Sequence, residues 1–105
     1  SRNVAIGDDT LLGSTGETTS SDNTAVGSRA MYDNTTGAYN TALGTSSLQS
    51  ITTGANNTSL GYQSGYSNVT GSGNVFIGYQ AGYNETGSNK LYIDNSNTSS
   101  PLIYG

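Results

Sequence analysis

Asn23-Thr24-Ala25-Val26-Gly27, Asn40-Thr41-Ala42-Leu43-Gly44, Asn57-Thr58-Ser59-Leu60-Gly61 and Asn74-Val75-Phe76-Ile77-Gly78 are four copies of one phrase, each 17 residues after the last. An earlier copy, Asn3-Val4-Ala5-Ile6-Gly7, precedes them by 20 residues. A fixed period with the same residue types at the same offsets marks one structural unit repeated, whose neighbours bury together what a single unit cannot. Within the phrase, small and β-branched residues favour a short strand, and the closing glycine favours a turn. The mid-repeat positions Leu11, Met31, Leu48, Gly65 and Gly82 are followed by Leu12, Tyr32, Gln49, Tyr66 and Tyr83. Next come turn-rich segments such as Asn34-Thr35-Thr36-Gly37 and Asn68-Val69-Thr70-Gly71, whose residues suit tight turns with positive φ. Each coil therefore reads as strand, turn, second short strand, turn.

Alternation along a strand puts Thr24 and Val26 on one face and Asn23 and Ala25 on the other. The large apolar residue of each copy, Ile6, Val26, Leu43, Leu60 or Ile77, is expected inside. The Asn column, Asn23, Asn40, Asn57 and Asn74, either stacks as a hydrogen-bonded ladder at the strand spacing of about 4.8 Å or forms a turn at each corner. Gly27, Gly44, Gly61 and Gly78 close the coils. Coils are expected to begin near residues 3, 23, 40, 57 and 74, with an irregular protruding loop at 14–22. These repeats occupy 1–88. Residues 89–105, with the alternating run Lys90-Leu91-Tyr92-Ile93-Asp94-Asn95 and then Pro101-Leu102-Ile103-Tyr104, are expected to cap the stack and connect it to a following module.

Composition narrows the class. Leu, Ile, Val and Phe make up 17 of the 105 residues, about 16 %, which is thin for a globular core and would fit a disordered chain. However, disorder of the usual kind goes with high net charge, and this chain nets −4 from seven acids and three bases. A polar repeat can fold when coils pair their backbones and several chains share one apolar interior, so a homo-oligomer is expected. Arg2, Arg29 and Lys90 are too few for nucleic acid or an anionic membrane surface. No apolar run approaches the roughly 20 residues of a membrane span. The chain reads as a piece of something longer.

The repeated Asn-x-Ala-Ile/Leu/Val-Gly phrase resembles the head repeats of trimeric autotransporter adhesins of the YadA-like type over about residues 3 to 88. The end, Asn89-Lys90-Leu91-Tyr92-Ile93-Asp94-Asn95-Ser96 and Ser100-Pro101-Leu102-Ile103-Tyr104-Gly105, looks like that of related bacterial and phage fibre proteins. The resemblance implies an all-β fold, a parallel left-handed β-roll (β-solenoid) of about five 17-residue coils, assembled as an intertwined or side-by-side homotrimer. It implies attachment to a receptor, matrix or glycan at the cell surface or outside the cell, or in a phage-like tail fibre. A shaft or spacer role is the alternative.

With no His and no Cys, the usual zinc sites and His- or Cys-based nucleophilic catalysis are excluded. Asp8, Asp9, Glu17, Asp22, Asp33, Glu85 and Asp94 share no column that would make a glycosidase pair, so no enzyme activity, metal or cofactor is expected. The tyrosines are the best binding candidates. Tyr62-Gln63-Ser64-Gly65-Tyr66 and Tyr79-Gln80-Ala81-Gly82-Tyr83 repeat at the coil period, and Tyr32 joins the column of Tyr66 and Tyr83. Their rings, with Gln63 and Gln80, could hold a sugar chain; alternatively the tyrosines stack across coils or close seams between chains. The Thr24, Thr41 and Thr58 column raises an ice-binding surface, but Val26, Leu43 and Leu60 make that face look interior.

Overall fold

The computed structural model describes residues 2–13 and 20–105. The expected loop at 14–22 lies, over 14–19, outside the described residues. The chain forms strands β1 (Val4–Ile6), β2 (Thr24–Val26), β3 (Thr41–Leu43), β4 (Thr58–Leu60), β5 (Val75–Ile77), β6 (Leu91–Ile93) and β7 (Ile103–Tyr104), in one sheet ordered as they occur in the sequence. β1 to β6 are parallel and in register, Ala25 opposite Ala42 and Ser59 opposite Phe76; β7 returns antiparallel to β6. This is an all-β solenoid of about five coils of about 17 residues, and the described residues contain no helix.

Strands of three residues are too short to persist alone; pairing with the coils on either side holds them, as stacked repeats require. Inter-coil bonds continue past the strand, from Leu11 N to Ala30 O, Met31 N to Ser47 O and Leu48 N to Ser64 O. That mid-repeat segment is not the second strand expected from the sequence. Positive φ recurs there at every second residue, at Arg29 and Met31, Ser46 and Leu48, Gln63 and Gly65. Such alternation folds the chain into turns instead of extending it.

The interior differs from the expectation as well. Val26, Leu43, Leu60 and Ile77 point outward, Leu43 and Leu60 exposed and Val26 and Ile77 half-exposed, and Ile6 is the most exposed of the column at 60 %. Inside lie Ala25, Ala42, Ser59 and Phe76. The reason is the asparagine column. Asn23, Asn40, Asn57 and Asn74 are buried, and strand alternation places the residue two further on beside each of them. Burying the amide therefore sends the large aliphatic side chain to the opposite face.

The Asn side chains do form a ladder. Asn40 N donates to Asn23 Oδ1 at 2.9 Å, Asn57 N to Asn40 Oδ1 at 3.0 Å, Asn74 N to Asn57 Oδ1 at 2.9 Å and Lys90 N to Asn74 Oδ1 at 2.9 Å. Each Nδ2 donates across the coil, Asn23 to Gly37 O and Asn40 to Gly54 O. Gly37 and Gly54 carry no positive φ, contrary to the turn expectation; a Cβ there would strike the next coil's glycine carbonyl and the Asn34 or Ile51 side chain. The positive φ falls two residues later, at Tyr39 and Asn56.

Opposing core columns change size together. Where the strand offers Ala25 and Ala42, the facing turns supply Met31 and Leu48; where it offers Phe76, they supply Gly65 and Gly82. A Cβ on either glycine would collide with the Phe76 ring, so interior volume is conserved down the stack.

The stack ends at Asp94. Register places Asp94 after Ile93 as Gly78 follows Ile77. A Cβ on Gly27, Gly44 or Gly61 would meet the carbonyl of the next coil's glycine, whereas no parallel coil follows Asp94. Its carboxylate accepts instead from Ser96 Oγ at 2.7 Å and Leu102 N at 3.3 Å, fixing the loop that reverses the chain into β7.

Candidate recognition surfaces

Three surfaces could carry function, and each follows from the coil geometry. The first is the outer face of the sheet. One column there reads Val4, Thr24, Thr41, Thr58, Val75 and Leu91; its neighbour reads Ile6, Val26, Leu43, Leu60, Ile77 and Ile93. Leu43 and Leu60 remain 44 % and 43 % exposed, and no other element of the described residues covers them. Six rungs of aliphatic side chain at strand spacing make a continuous apolar stripe on a polar chain, the kind of patch that marks an interaction site. The threonines Thr24, Thr41 and Thr58, expected inside with their neighbours, are exposed beside it.

The second surface holds the tyrosines. Tyr66 and Tyr83 stack with centroids 4.8 Å apart and planes 3° from parallel; Tyr62 and Tyr79 stack at 5.6 Å and 10°. Between the two stacks Gln80 Nε2 donates to Gln63 Oε1 at 2.8 Å, and Gln49 Nε2 reaches the Tyr66 hydroxyl at 3.3 Å. The rings thus face one another along the axis, and what they turn sideways is their edges and hydroxyls. A sugar laid across both members of a stack would meet no ring face, which the platform geometry needs. Tyr32 is separated from Tyr66 by Gln49 in the column and instead lies under the Arg29 guanidinium, 5.8 Å from the ring centroid.

The third comprises the carboxylates. Asp22 is engaged by Arg2 at 2.8 Å, Asp94 by the terminal loop, and Glu85 by Tyr92 and Gly87, while Glu17 lies outside the described residues. Among the described residues no group of three or more acids gathers where a metal ion could bind. Glu85 is the carboxylate with the most developed surroundings. Burial pushes its pKa up, but the Tyr92 hydroxyl, the Gly87 N–H and the Lys90 charge together hold it below the ordinary glutamate range. Tyr92 is pushed up in turn, by burial and by the same bond to the Glu85 carboxylate. In the sequence Glu85 is one of several scattered acids, because its partner Tyr92 belongs to a different coil.

No protein-family model, curated protein or solved structure matches the chain.

Proposed function

We propose that this chain is a non-enzymatic module of a homotrimeric surface or tail-type fibre, serving adhesion to another cell or surface, with surface glycans as the target class. The observation that carries the reading is the uncovered aliphatic column Ile6, Val26, Leu43, Leu60, Ile77 and Ile93. A stripe with a repeat of one strand spacing is matched best by a partner with the same repeat, and another copy of this chain has it. Three copies turning these stripes toward a common axis would supply the shared apolar core that a single thin coil lacks. Adhesion then gains from avidity, because three equivalent contacts act together. The resemblance to YadA-like head repeats points the same way.

The test is the solution mass of the chain by light scattering. A mass about three times the 10.7 kDa of one chain is expected, and a concentration-independent monomer would sink the proposal. Assembled trimer with no retention on glycans or cells would leave the shaft role. A second reading is favoured by the exposure of Thr24, Thr41 and Thr58 in register on that same face: in a monomer this regular threonine and aliphatic array would be open to water, and thermal hysteresis would test it as an ice-binding plane.

A further inference from the structure

The last coil and the terminal loop enclose a cavity of about 180 Å³. Its deep wall is Gly82 and the buried ring of Tyr92, and its rim carries the exposed side chains of Asn84, Asn97 and Ser99, with the Glu85 carboxylate between. It arises because the chain, after β6, does not make another mid-repeat turn over Gly82. Asp94 diverts it into the loop leading to β7, and Gly82 contributes no side chain to fill the gap.

We propose that this cavity binds a single neutral sugar ring, a hexopyranoside, as the glycan subsite of the adhesive module; the inference rests on the fibre reading for its biological setting only. The size argues for one ring, since drug-sized ligands occupy pockets of roughly 300 Å³ and above. The chemistry argues for a polyol. Glu85 accepts from Tyr92 Oη through Oε1 at 2.8 Å and from Gly87 N through Oε2 at 2.8 Å, and each oxygen keeps a further lone pair for a sugar hydroxyl. The amides of Asn84 and Asn97 and the hydroxyl of Ser99 stand exposed at the rim, and such groups can donate to and accept from adjacent hydroxyls at once. Gly82 and the buried Tyr92 ring, itself packed against Phe76 and Tyr104, close the cavity with an apolar floor. Charge selects the neutral class. The Glu85 carboxylate, the one charged group that lines the cavity, repels acidic sugars. One carboxylate is too few for a metal ion held by protein oxygens.

The test is an NMR titration of the full 105-residue chain with methyl β-galactoside, methyl α-mannoside, N-acetylglucosamine and N-acetylneuraminic acid. At least one of the three neutral sugars is expected to shift the resonances of Asn84, Asn97 and Ser99 with millimolar affinity, and N-acetylneuraminic acid to leave them unmoved. Asn97→Ala and Ser99→Ala, both on the exposed rim and remote from the core, should each weaken that binding about five-fold. Glu85→Gln should weaken neutral binding and reduce the exclusion of the acidic sugar. Silence with all three neutral sugars, shifts that survive both rim substitutions, or equal binding of N-acetylneuraminic acid would overturn the proposal. Light scattering on the same samples keeps the two readings apart: a trimer with a silent cavity removes the sugar site alone, and a monomer that binds sugar removes the trimeric fibre alone.

Discussion

Each ladder asparagine satisfies two backbone groups at once, a glycine carbonyl across its own coil and the N–H of the next asparagine or, for Asn74, of Lys90. Removing the Asn57 side chain leaves both without these partners, and a buried unsatisfied group costs about 1–3 kcal/mol. Asn57→Ala is therefore expected to destabilise the chain by about 3 kcal/mol, since Gly71 O and Asn74 N both lose their bonds, as measured by denaturant unfolding. Asn57→Asp should do comparable damage, because its carboxylate cannot donate to the Gly71 carbonyl. The same accounting applies to volume. Gly82→Ala drives a methyl into the Phe76 ring, and Phe76→Ala alone leaves a cavity; each is expected to cost at least about 1 kcal/mol. Because the two errors have opposite sign in volume, the double variant should be more stable than the sum of the single losses predicts. Simple additivity in a double-mutant cycle would refute the size coupling.

At the scale of the coil, the tyrosine stacks and the terminal loop make different demands. Tyr66→Ala with Tyr83 intact should lose stacking worth about 0.5–1.5 kcal/mol beyond simple area burial, and the Tyr66 and Tyr83 substitutions together should show a coupling of that size in urea unfolding. Sugar binding at the terminal cavity should be unchanged in either variant, since these rings do not line it. The terminal loop brings pH dependence. Glu85 and Asp94 both have folded pKa values below the ordinary carboxylate range, Asp94 through Ser96 first, against a burial effect that raises it, with the Leu102 N–H adding to the lowering. A depressed folded value means stability that is fully present above the unfolded pKa, about 4 for these groups, and lost as pH falls through the folded value. The melting temperature should therefore fall as pH drops below about 4, and Glu85→Gln should shrink that fall while lowering stability at neutral pH. A melting temperature independent of pH between 2 and 6 would contradict the role given to these two carboxylates.

At the scale of the whole molecule, the proposed trimer would cover the aliphatic stripe. Leu43→Asp with Leu60→Asp places two charges on the outer face of β3 and β4, where a single chain leaves the side chains in water. In an isolated solenoid this pair would cost little. In a trimer it would bury like charges near the axis, and such uncompensated charges are strongly unfavourable. The double variant is therefore expected to convert the trimer to monomer in light scattering, and an unchanged trimer would move the interface to another face. Single chains released in this way should also unfold at lower temperature, with a transition that for the unmodified protein rises with concentration.

The sequence by itself determined the period and the strands of the repeated phrase, because residues such as Asn40, Ala42 and Gly44 recur at offsets that stacked coils use, while their parallel order was an implication of the resemblance. It also determined that side chains alternate across each strand, since that is local geometry. It could not decide which face is inside. Leu43 and Leu60 look like core residues by hydrophobicity, and only the closed coil shows that the buried asparagine of each phrase turns the residue two further on, Ala42 or Ser59, inward instead. Nor was the role of Gly37 and Gly54 legible, because the glycine carbonyl that a Cβ there would strike belongs to the following coil. The cavity beneath the terminal loop is of the same kind. Gly82, Tyr92 and Asn97 come from separate turns of the chain, and their meeting depends on Asp94 ending the stack, a consequence of contacts between coils that no local pattern contains.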